Sequence, residues 1–434
     1  QNAGFTPQIY GLNVGNQDQL DRAGVGSREE AWAQYPFTPD PDNQPIIPGG
    51  KQMVVALMDP DLKQPSTWKA NLAFDHELPW YGIVASAEYL MTQVKTGLHY
   101  EILGMGDPTA IGPDGRQIFY CDPAGATGGT RCNGADLINN LRDADGNLPP
   151  ELAEFNDITG WGGDNVIYLR PTNKGKTHQM TLSLQKPLYE NWGWSIGYTR
   201  TSAQDVNPLT SSQAHSNWDG RMLLNPNEPI AYTSNYEIRD RFSGTLTWQK
   251  AFFGDYKTSV ALFYEGRSGR PYSWTFQNDA NGDGETNDLF FVPNPGDVVF
   301  TGGAEMEAAF FDWLARHPEL GRYQGGVAPR NSSRSSWVNT FDIRVSQELP
   351  GFFEGHKTEV WLDIMNVGNM IDKDWGQINE IGFPHGRRVA EMKGLNDAGQ
   401  YIYEFNEGDV FTERLYDNVG QSRWALQLGI RYKF

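Results

Sequence analysis

The sequence predicts an all-β protein, an antiparallel transmembrane β-barrel with about nine strands in this chain and long extracellular loops. Three observations predict this fold. Segments of about ten residues alternate apolar with polar side chains, which is the length and pattern of a strand crossing an outer membrane. Short turns alternate with long polar loops along the chain. The chain also lacks any run of about 18 apolar residues, so no transmembrane helix is expected.

The last segment shows the alternation most clearly. One set of alternate positions is apolar: Trp424, Leu426, Leu428, Ile430, Tyr432 and Phe434. The other set is small or polar: Ala425, Gln427, Gly429, Arg431 and Lys433. Because successive side chains of a strand point to opposite sides, each set forms one face. We expect the first face to contact lipid and the second to contact water.

Eight earlier segments alternate in the same way and complete the predicted set of strands. They lie at about 67–75, 81–92, 178–185, 192–198, 241–249, 260–264, 341–346 and 359–364. Polar side chains within them, such as Glu88, Arg241, Asp342 and Arg344, are expected to face the interior of the barrel. An odd number of strands does not close a bacterial single-chain barrel, so further strands are expected from the same polypeptide or from a second chain.

The connections divide the chain into regions. Residues 1–65 are rich in Pro, Gly, Asn, Asp and Gln and are predicted to form an extracellular loop segment. Residues 66–434 are predicted to form the C-terminal part of the barrel. Their long outer loops fall at about 94–175, 203–237, 269–335 and 367–420. Such loops are expected on the outer rim of a barrel and would be unusual inside a compact soluble domain.

Charge limits the partners that this chain can have. Asp and Glu number 54 against 35 Lys and Arg, which gives a formal net charge of −19. A surface this acidic repels phosphate backbones, so no nucleic-acid partner is expected. The sequence also contains no HExxH or GxSxG motif, and its seven His are scattered, so we do not expect an enzyme.

Several runs of residues resemble one family of membrane proteins. The run SWVNTFDIRVSQELP at Ser336–Pro350, the run EVWLDIMNVGNM at Glu359–Met370 and the aromatic strand ending in Phe434 resemble the closing strands of TonB-dependent outer-membrane receptors. The run Leu57–Leu90 resembles the Oar-like branch of that family. The resemblance implies a bacterial outer-membrane location and a barrel of 22 strands, of which this chain supplies the C-terminal part.

The same resemblance implies a function and partners. The chain is expected to form the membrane wall and extracellular rim of a TonB-dependent transporter that takes up or exports an unidentified large substrate. Its expected partners are outer-membrane lipid and lipopolysaccharide, the remaining N-terminal strands and plug, and the TonB complex, which acts through those missing parts. The alternative function is that of an outer-membrane-anchored surface binding or adhesion protein.

A loop segment carries a candidate calcium site. Its oxygen-bearing residues are Asp279, Asn281, Asp283, Glu285, Asn287 and Asp288. Oxygen ligands at positions 1, 3 and 5, followed by Gly284 at position 6, match the opening of a calcium-binding loop. Position 12 is Phe290 instead of the usual Glu, and Asn287 or Asp288 can complete the ligand set. The alternative is a surface turn of Asn, Gly and Asp residues without metal.

Two further features of the long loops allow more than one interpretation. Cys121 and Cys132 flank a Gly-rich stretch, which indicates either a disulfide in an oxidising compartment or two unpaired thiols. The segment Ala304–His317 places Met306, Phe310, Trp313 and Leu314 at helical spacing. This helix is expected either to contact a ligand as a lid or to dock the loop on its neighbours.

Overall fold

A computed structural model describes residues 27–34, 55–105, 107–120 and 166–434. Its α-helices are α1 (Arg28–Gln34), α2 (Ala214–Asp219), α3 (Gly303–Ala315), α4 (Pro318–Gly321) and α5 (Val367–Ile371). Two short 3₁₀ turns occupy Leu103–Met105 and Glu407–Asp409. None of the helices in these ranges is long and apolar enough to cross a membrane.

Strands make up most of the regular secondary structure in the described ranges. In chain order they are β1 (Val55–Met58), β2 (Ser66–Glu77), β3 (Val84–Ile102), β4 (Ala110–Ile111), β5 (Gln117–Ile118), β6 (Val166–Thr172), β7 (Lys176–Tyr189), β8 (Trp192–Asp205), β9 (Tyr232–Thr233), β10 (Asp240–Phe253), β11 (Tyr256–Arg267), β12 (Pro271–Thr275), β13 (Phe291–Val292), β14 (Val299–Phe300), β15 (Gly326–Val327), β16 (Ser333–Arg334), β17 (Val338–Pro350), β18 (Lys357–Met365), β19 (Asn379–Glu380), β20 (Gly386–Arg388), β21 (Glu391–Leu395), β22 (Tyr401–Glu404), β23 (Arg414–Leu415) and β24 (Ala425–Lys433).

The long strands form one antiparallel sheet in the order β2-β3-β7-β8-β10-β11-β17-β18-β24. Each long strand in this order pairs with the next long strand along the chain. The shorter strands between them belong to the loops and do not change this order. Such a meander is the connectivity of an outer-membrane barrel wall. All nine predicted strand segments are confirmed, and the all-β fold class is confirmed with them.

The connections at one end of the sheet are tight turns. Between β7 and β8 the chain reverses in two residues, Glu190 and Asn191, which have φ of 48° and 76°. Two successive positive φ values match the type I′ turn, whose twist suits a hairpin. Tyr81, predicted to begin the second strand, lies instead in the turn before β3 with φ of 55°. The strand begins at Val84, because the left-handed backbone at Tyr81 is incompatible with an extended ladder.

The register places apolar side chains of neighbouring strands side by side on one face. Leu182 is opposite Tyr198, and Tyr198 is opposite Phe242. On the last strand, Leu428 leaves 71% of its surface exposed. A continuous apolar face this exposed would be unfavourable in water, whereas it is the surface required in a bilayer. We therefore assign this face to lipid.

The opposite face carries charged side chains that pair across strands. Arg344 donates two hydrogen bonds to Asp363, with Nε to Oδ1 at 2.5 Å and Nη2 to Oδ2 at 2.7 Å. Arg241 and Glu265 form another pair, 2.7 Å apart. Asn71 donates to Glu88 at 2.8 Å, across β2 and β3. The polar residues that were expected to face the interior thus share one face, and each has a cross-strand partner or a backbone partner.

The structure changes the expected bounds of two loop regions. β3 continues beyond the predicted loop start at about 94, to Ile102, where it pairs with β6 instead of β7. The described part of residues 1–65 contains α1 and β1, and β1 pairs in parallel with β6 from Val55 opposite Val166. Four residues, 55–58, are too few to show the two-residue alternation that predicts a strand. This strand forms because it pairs with β6, which is distant in the sequence.

Adjacent residues of β24 provide a direct test of the two faces. We expect Leu428→Arg to lower the free energy of unfolding by about 2–4 kcal/mol, since it places a charge in hydrocarbon near mid-strand. The matched control, Gln427→Arg, places the same charge on the interior face opposite Asp363 and should change stability little. Urea unfolding in lipid vesicles measures both. Equal losses from the two variants would contradict the assignment of the faces.

Candidate functional site

The long loops pack together and do not lie as separate surface segments. Residues 109–120, 268–337 and 377–415, here called the outer loop assembly, share one buried apolar cluster. Its largest members are Trp274, Phe276, Phe290, Phe310, Trp313, Tyr401 and Tyr403. Short strands connect the segments, with β12 between β16 and β20 and β22 between β14 and β21. The outer rim is therefore a folded body with its own core.

Aromatic contacts hold this core together. The rings of Phe276 and Phe290 have centroids 4.9 Å apart, and those of Phe290 and Tyr403 are 5.7 Å apart. Phe310 meets Phe405 edge to face at 5.2 Å. Pairs in these geometries contribute about 0.5–1.5 kcal/mol each beyond the area that they bury. Residues from two separate loops thus stabilise one another.

Helix α3 contributes its apolar side to this core. Phe310, Trp313 and Leu314 are buried, and Met306 packs against the same cluster. The helical spacing predicted from the sequence is confirmed. Of the two interpretations of this helix, docking of the loop on its neighbours is confirmed, because the side chains that a lid would present to a ligand are covered by protein.

A buried arginine links two of the loops electrostatically. Arg116 Nη1 donates to Asp288 at 2.7 Å, and its Nη2 donates to Asp114 at 3.2 Å and to the carbonyl of Leu289. Burial acts to lower the pKa of Arg116, but the carboxylates of Asp114 and Asp288 outweigh it and raise the pKa above its ordinary value. Removing either carboxylate would leave the buried Arg116 with a single counter-charge.

The predicted calcium residues come together in a tight turn. Asp279 accepts from the backbone amides of Gly282 at 2.7 Å and Gly284 at 2.8 Å. Asp283 accepts from the amide of Glu285 at 2.9 Å, and Asn281 accepts from the amide of Asp283 at 2.8 Å. These contacts satisfy backbone donors that the sharp turn leaves without partners.

The other predicted ligands have partners outside the turn. Asp288 accepts from the amide of Ala280 at 2.8 Å as well as from Arg116. Glu285 lies 3.3 Å from the His215 ring, and the Asn287 amide donates to the carbonyl of Asp219 at 2.9 Å. Glu285 and Asn287 therefore reach toward α2 on a different loop.

Like charges crowd the middle of this turn. Burial raises the pKa of Asp283 well above its usual range, and the carboxylates of Asp288 and Asp279 raise it further. Burial also raises the pKa of Asp288 to about 7; Arg116 opposes this shift and Asp279 adds to it. A divalent cation would relieve this repulsion. Within the described residues, however, no group of three or more His, Cys, Asp or Glu side chains is arranged to hold a metal, and calcium binding stays a prediction.

The tertiary contacts that hold the rim together could not be predicted from the sequence. Arg116 and Asp288 are far apart in the chain, and nothing in the local pattern of either segment indicates that they meet. The aromatic residues Tyr401 and Tyr403 lie on β22, which pairs with β21 in a small antiparallel hairpin. Cys121 and Cys132 lie outside the described residues, so the disulfide stays a prediction.

Comparison with known proteins agrees with this geometry. The model of the outer membrane beta barrel domain family matches residues 2–372, most of the chain. The chain belongs to the outer membrane beta barrel domain family. Its place is the bacterial outer membrane. No curated protein matches the sequence.

Among solved structures, this barrel chain is similar to the outer membrane transporter YddB from Escherichia coli. The two share 10% sequence identity with a TM-score of 0.25, and the match covers 85% of this chain and 32% of the other. The barrel chain thus corresponds to about a third of that structure's length.

The core of the outer loop assembly can be tested separately from the barrel wall. We expect Phe310→Ala to destabilise the assembly by about 3–5 kcal/mol, because it opens a cavity at a fully buried ring. Limited proteolysis should then cleave residues 268–337 faster while the strands stay resistant. Phe352→Ala, at an exposed ring in the short turn between β17 and β18, is the control and should have no effect. Unchanged cleavage of the Phe310 variant would contradict the assembly.

Calcium removal tests the predicted metal site. Added Ca²⁺ should slow amide hydrogen exchange across residues 276–292, because it would neutralise crowded carboxylates, and a chelator should reverse the effect. Asp283→Asn should abolish the response. Asp255→Asn, in the short turn between β10 and β11, should keep it. Exchange that is insensitive to Ca²⁺ in the unmodified protein would refute the site.

Proposed function

We propose that this chain forms the C-terminal part of the barrel of a TonB-dependent, Oar-like outer-membrane transporter. In this role the sheet is the membrane wall, and the outer loop assembly is the extracellular rim around the route of an unidentified large substrate. The observation that carries the proposal is the interior face of the sheet. It is lined with ion pairs such as Arg344–Asp363 and Arg241–Glu265, which require a hydrated or polar interior.

The edges of the sheet support a larger barrel. Among the described strands, β2 pairs only with β3 and β24 pairs only with β18. Each edge presents backbone N–H and C=O groups that hydrocarbon cannot satisfy. We therefore propose that further strands complete the wall, as the resemblance of Leu57–Leu90 and Ser336–Pro350 to the receptor family implies. A wide barrel leaves an interior that a plug can fill and a substrate can cross.

The outer loop assembly supports a role at the entrance. A folded rim can present a fixed surface to a ligand, which a set of loose loops cannot do. Its partners in this proposal are lipid and lipopolysaccharide around the wall, a plug within it, and the TonB complex acting through that plug. The competing function is that of an adhesion protein, in which the barrel serves as an anchor and only the rim binds.

Thiol labelling of the full gene product in cells separates the two functions. In a background without Cys121 and Cys132, Gln427→Cys places a thiol on the interior face and Leu428→Cys places one toward lipid. We expect a membrane-impermeant reagent to label the interior thiol and to leave the lipid-facing thiol unlabelled. The interior thiol should react at a different rate when a protonophore removes the proton gradient that supplies the energy. An interior thiol that never reacts, or one whose labelling ignores the energy source, would favour the anchor.

A further inference from the structure

A cavity of about 450 Å³ lies at the outer rim, away from the outer loop assembly. Its walls come from the segment after β1, from the upper part of β3, and from the turn between β6 and β7. At this level β3 has left the membrane sheet and pairs with β6. The cavity therefore sits where the strands emerge from the bilayer on the side of the long loops.

The charge of this cavity is opposite to that of the whole chain. Lys63, Lys95 and Lys174 line it, against one carboxylate, Asp61. Among the described residues none of these three lysines forms an ion pair, whereas charged side chains on the interior face of the sheet, such as Arg241 and Arg344, do. Unpaired ammonium groups that converge on one cavity attract an anion, and lysine binds phosphate as a point charge.

One ring nitrogen of a buried histidine in the wall also lacks a partner. His99 is 3% exposed, and its Nε2 lies 3.0 Å from Glu101 Oε1. Glu101 in turn meets Arg170 Nε at 2.9 Å, so its position is fixed from both sides. His99 Nδ1 is buried with no hydrogen-bond partner among the described residues. A buried polar atom without a partner is unfavourable, and a protonated His99 can donate from Nδ1 to an anion while Nε2 donates to Glu101.

The position of Lys95 relates the cavity to the membrane. Its Nζ lies 5.4 Å from the centre of the Trp68 ring, a cation–π contact. Trp68 belongs to the lipid-facing set of β2 and is 66% exposed. Exposed tryptophan on a barrel marks the headgroup level. The cavity is thus at the depth where lipid phosphates lie.

We propose that this rim cavity binds a phosphate group through Lys63, Lys95 and Lys174, with His99 Nδ1 as an additional donor. The same chemistry fits a phosphate on a lipid headgroup and a phosphate ester free in solution. The contact of Lys95 with Trp68 favours the lipid source. The proposal requires the barrel wall and its orientation, but it does not require transport.

The full protein in nanodiscs tests the proposal with two probes. The lipid probe is phosphatidic acid, a phosphate monoester, diluted into phosphatidylcholine; the soluble probe is glycerol phosphate. The test variant Lys95→Gln/Lys174→Gln removes two charges from the cavity. The control Lys250→Gln/Lys257→Gln removes two charges near the short turn between β10 and β11. Lipid retention by native mass spectrometry and titration of the soluble probe give the affinities.

We expect selective retention of phosphatidic acid, weakened at least about tenfold in the test variant and by added salt, since each lysine near an anionic headgroup contributes about 1 kcal/mol. The control should bind as the unmodified protein does. His99→Gln, which keeps a donor toward Glu101 and removes Nδ1, should also weaken binding. Binding of glycerol phosphate alone, with the same dependence on variants, would support the site with a soluble source. Equal binding by test and control variants, or no preference for either phosphate probe, would overturn it.

Discussion

The structure depends on one constraint: in hydrocarbon, every backbone N–H and C=O group must bond to another strand. A nine-strand antiparallel ladder meets this requirement for every strand between its two edges and leaves only the side chains free to vary. Because the side-chain period of a strand is two, the ladder sorts the sequence into a lipid face and an interior face. A slip of one residue would exchange the faces, so the alternation also fixes the register.

The two faces have different consequences. On the lipid side, exposed residues such as Leu72 and Leu428 are not part of a specific binding site. Their role is to give the wall an apolar surface that lipid chains can contact. On the interior side, cross-strand pairs such as Arg344 with Asp363 hold the charges in place. Exposed pairs of this kind add little stability, about 0–1 kcal/mol each, so their presence reflects the polar interior more than the strength of the sheet.

Sequence alone predicted the parts that follow a local period. The alternation in β24, the helical spacing of Phe310 and Trp313, and the apolar residues of β8 all lie in short windows, and the structure confirms each element. The outer loop assembly follows no such period. Its core joins residues from distant loops, and the contact of Arg116 with Asp288 is a tertiary contact that no window contains. The loops were expected as long polar connections, with docking on neighbouring loops considered only for the helix at Ala304–His317, and the structure joins them in one folded rim.

The same limit applies to function. The membrane location follows from the physics of the two faces, whereas the basic cavity at the rim arises only where β3 leaves the sheet and brings His99 beside the turn that carries Lys174. The three lysines are far apart in the sequence, and the chain as a whole is acidic, so neither local sequence nor composition indicates a basic site. Recognition sites of this kind depend on pairing between distant segments, and the fold must be known before they can be located.

Site-directed spin labelling along β24 tests the central claim most directly. Labels would replace each residue from Ala425 to Lys433 in turn, and their collision rates would be measured with oxygen, which concentrates in lipid, and with a polar nickel complex, which stays in water. The account predicts opposite oscillations with a period of two residues, with oxygen favoured at Leu426, Leu428, Ile430 and Tyr432. Labels at those positions that are shielded from both reagents, as in a protein core, would contradict it.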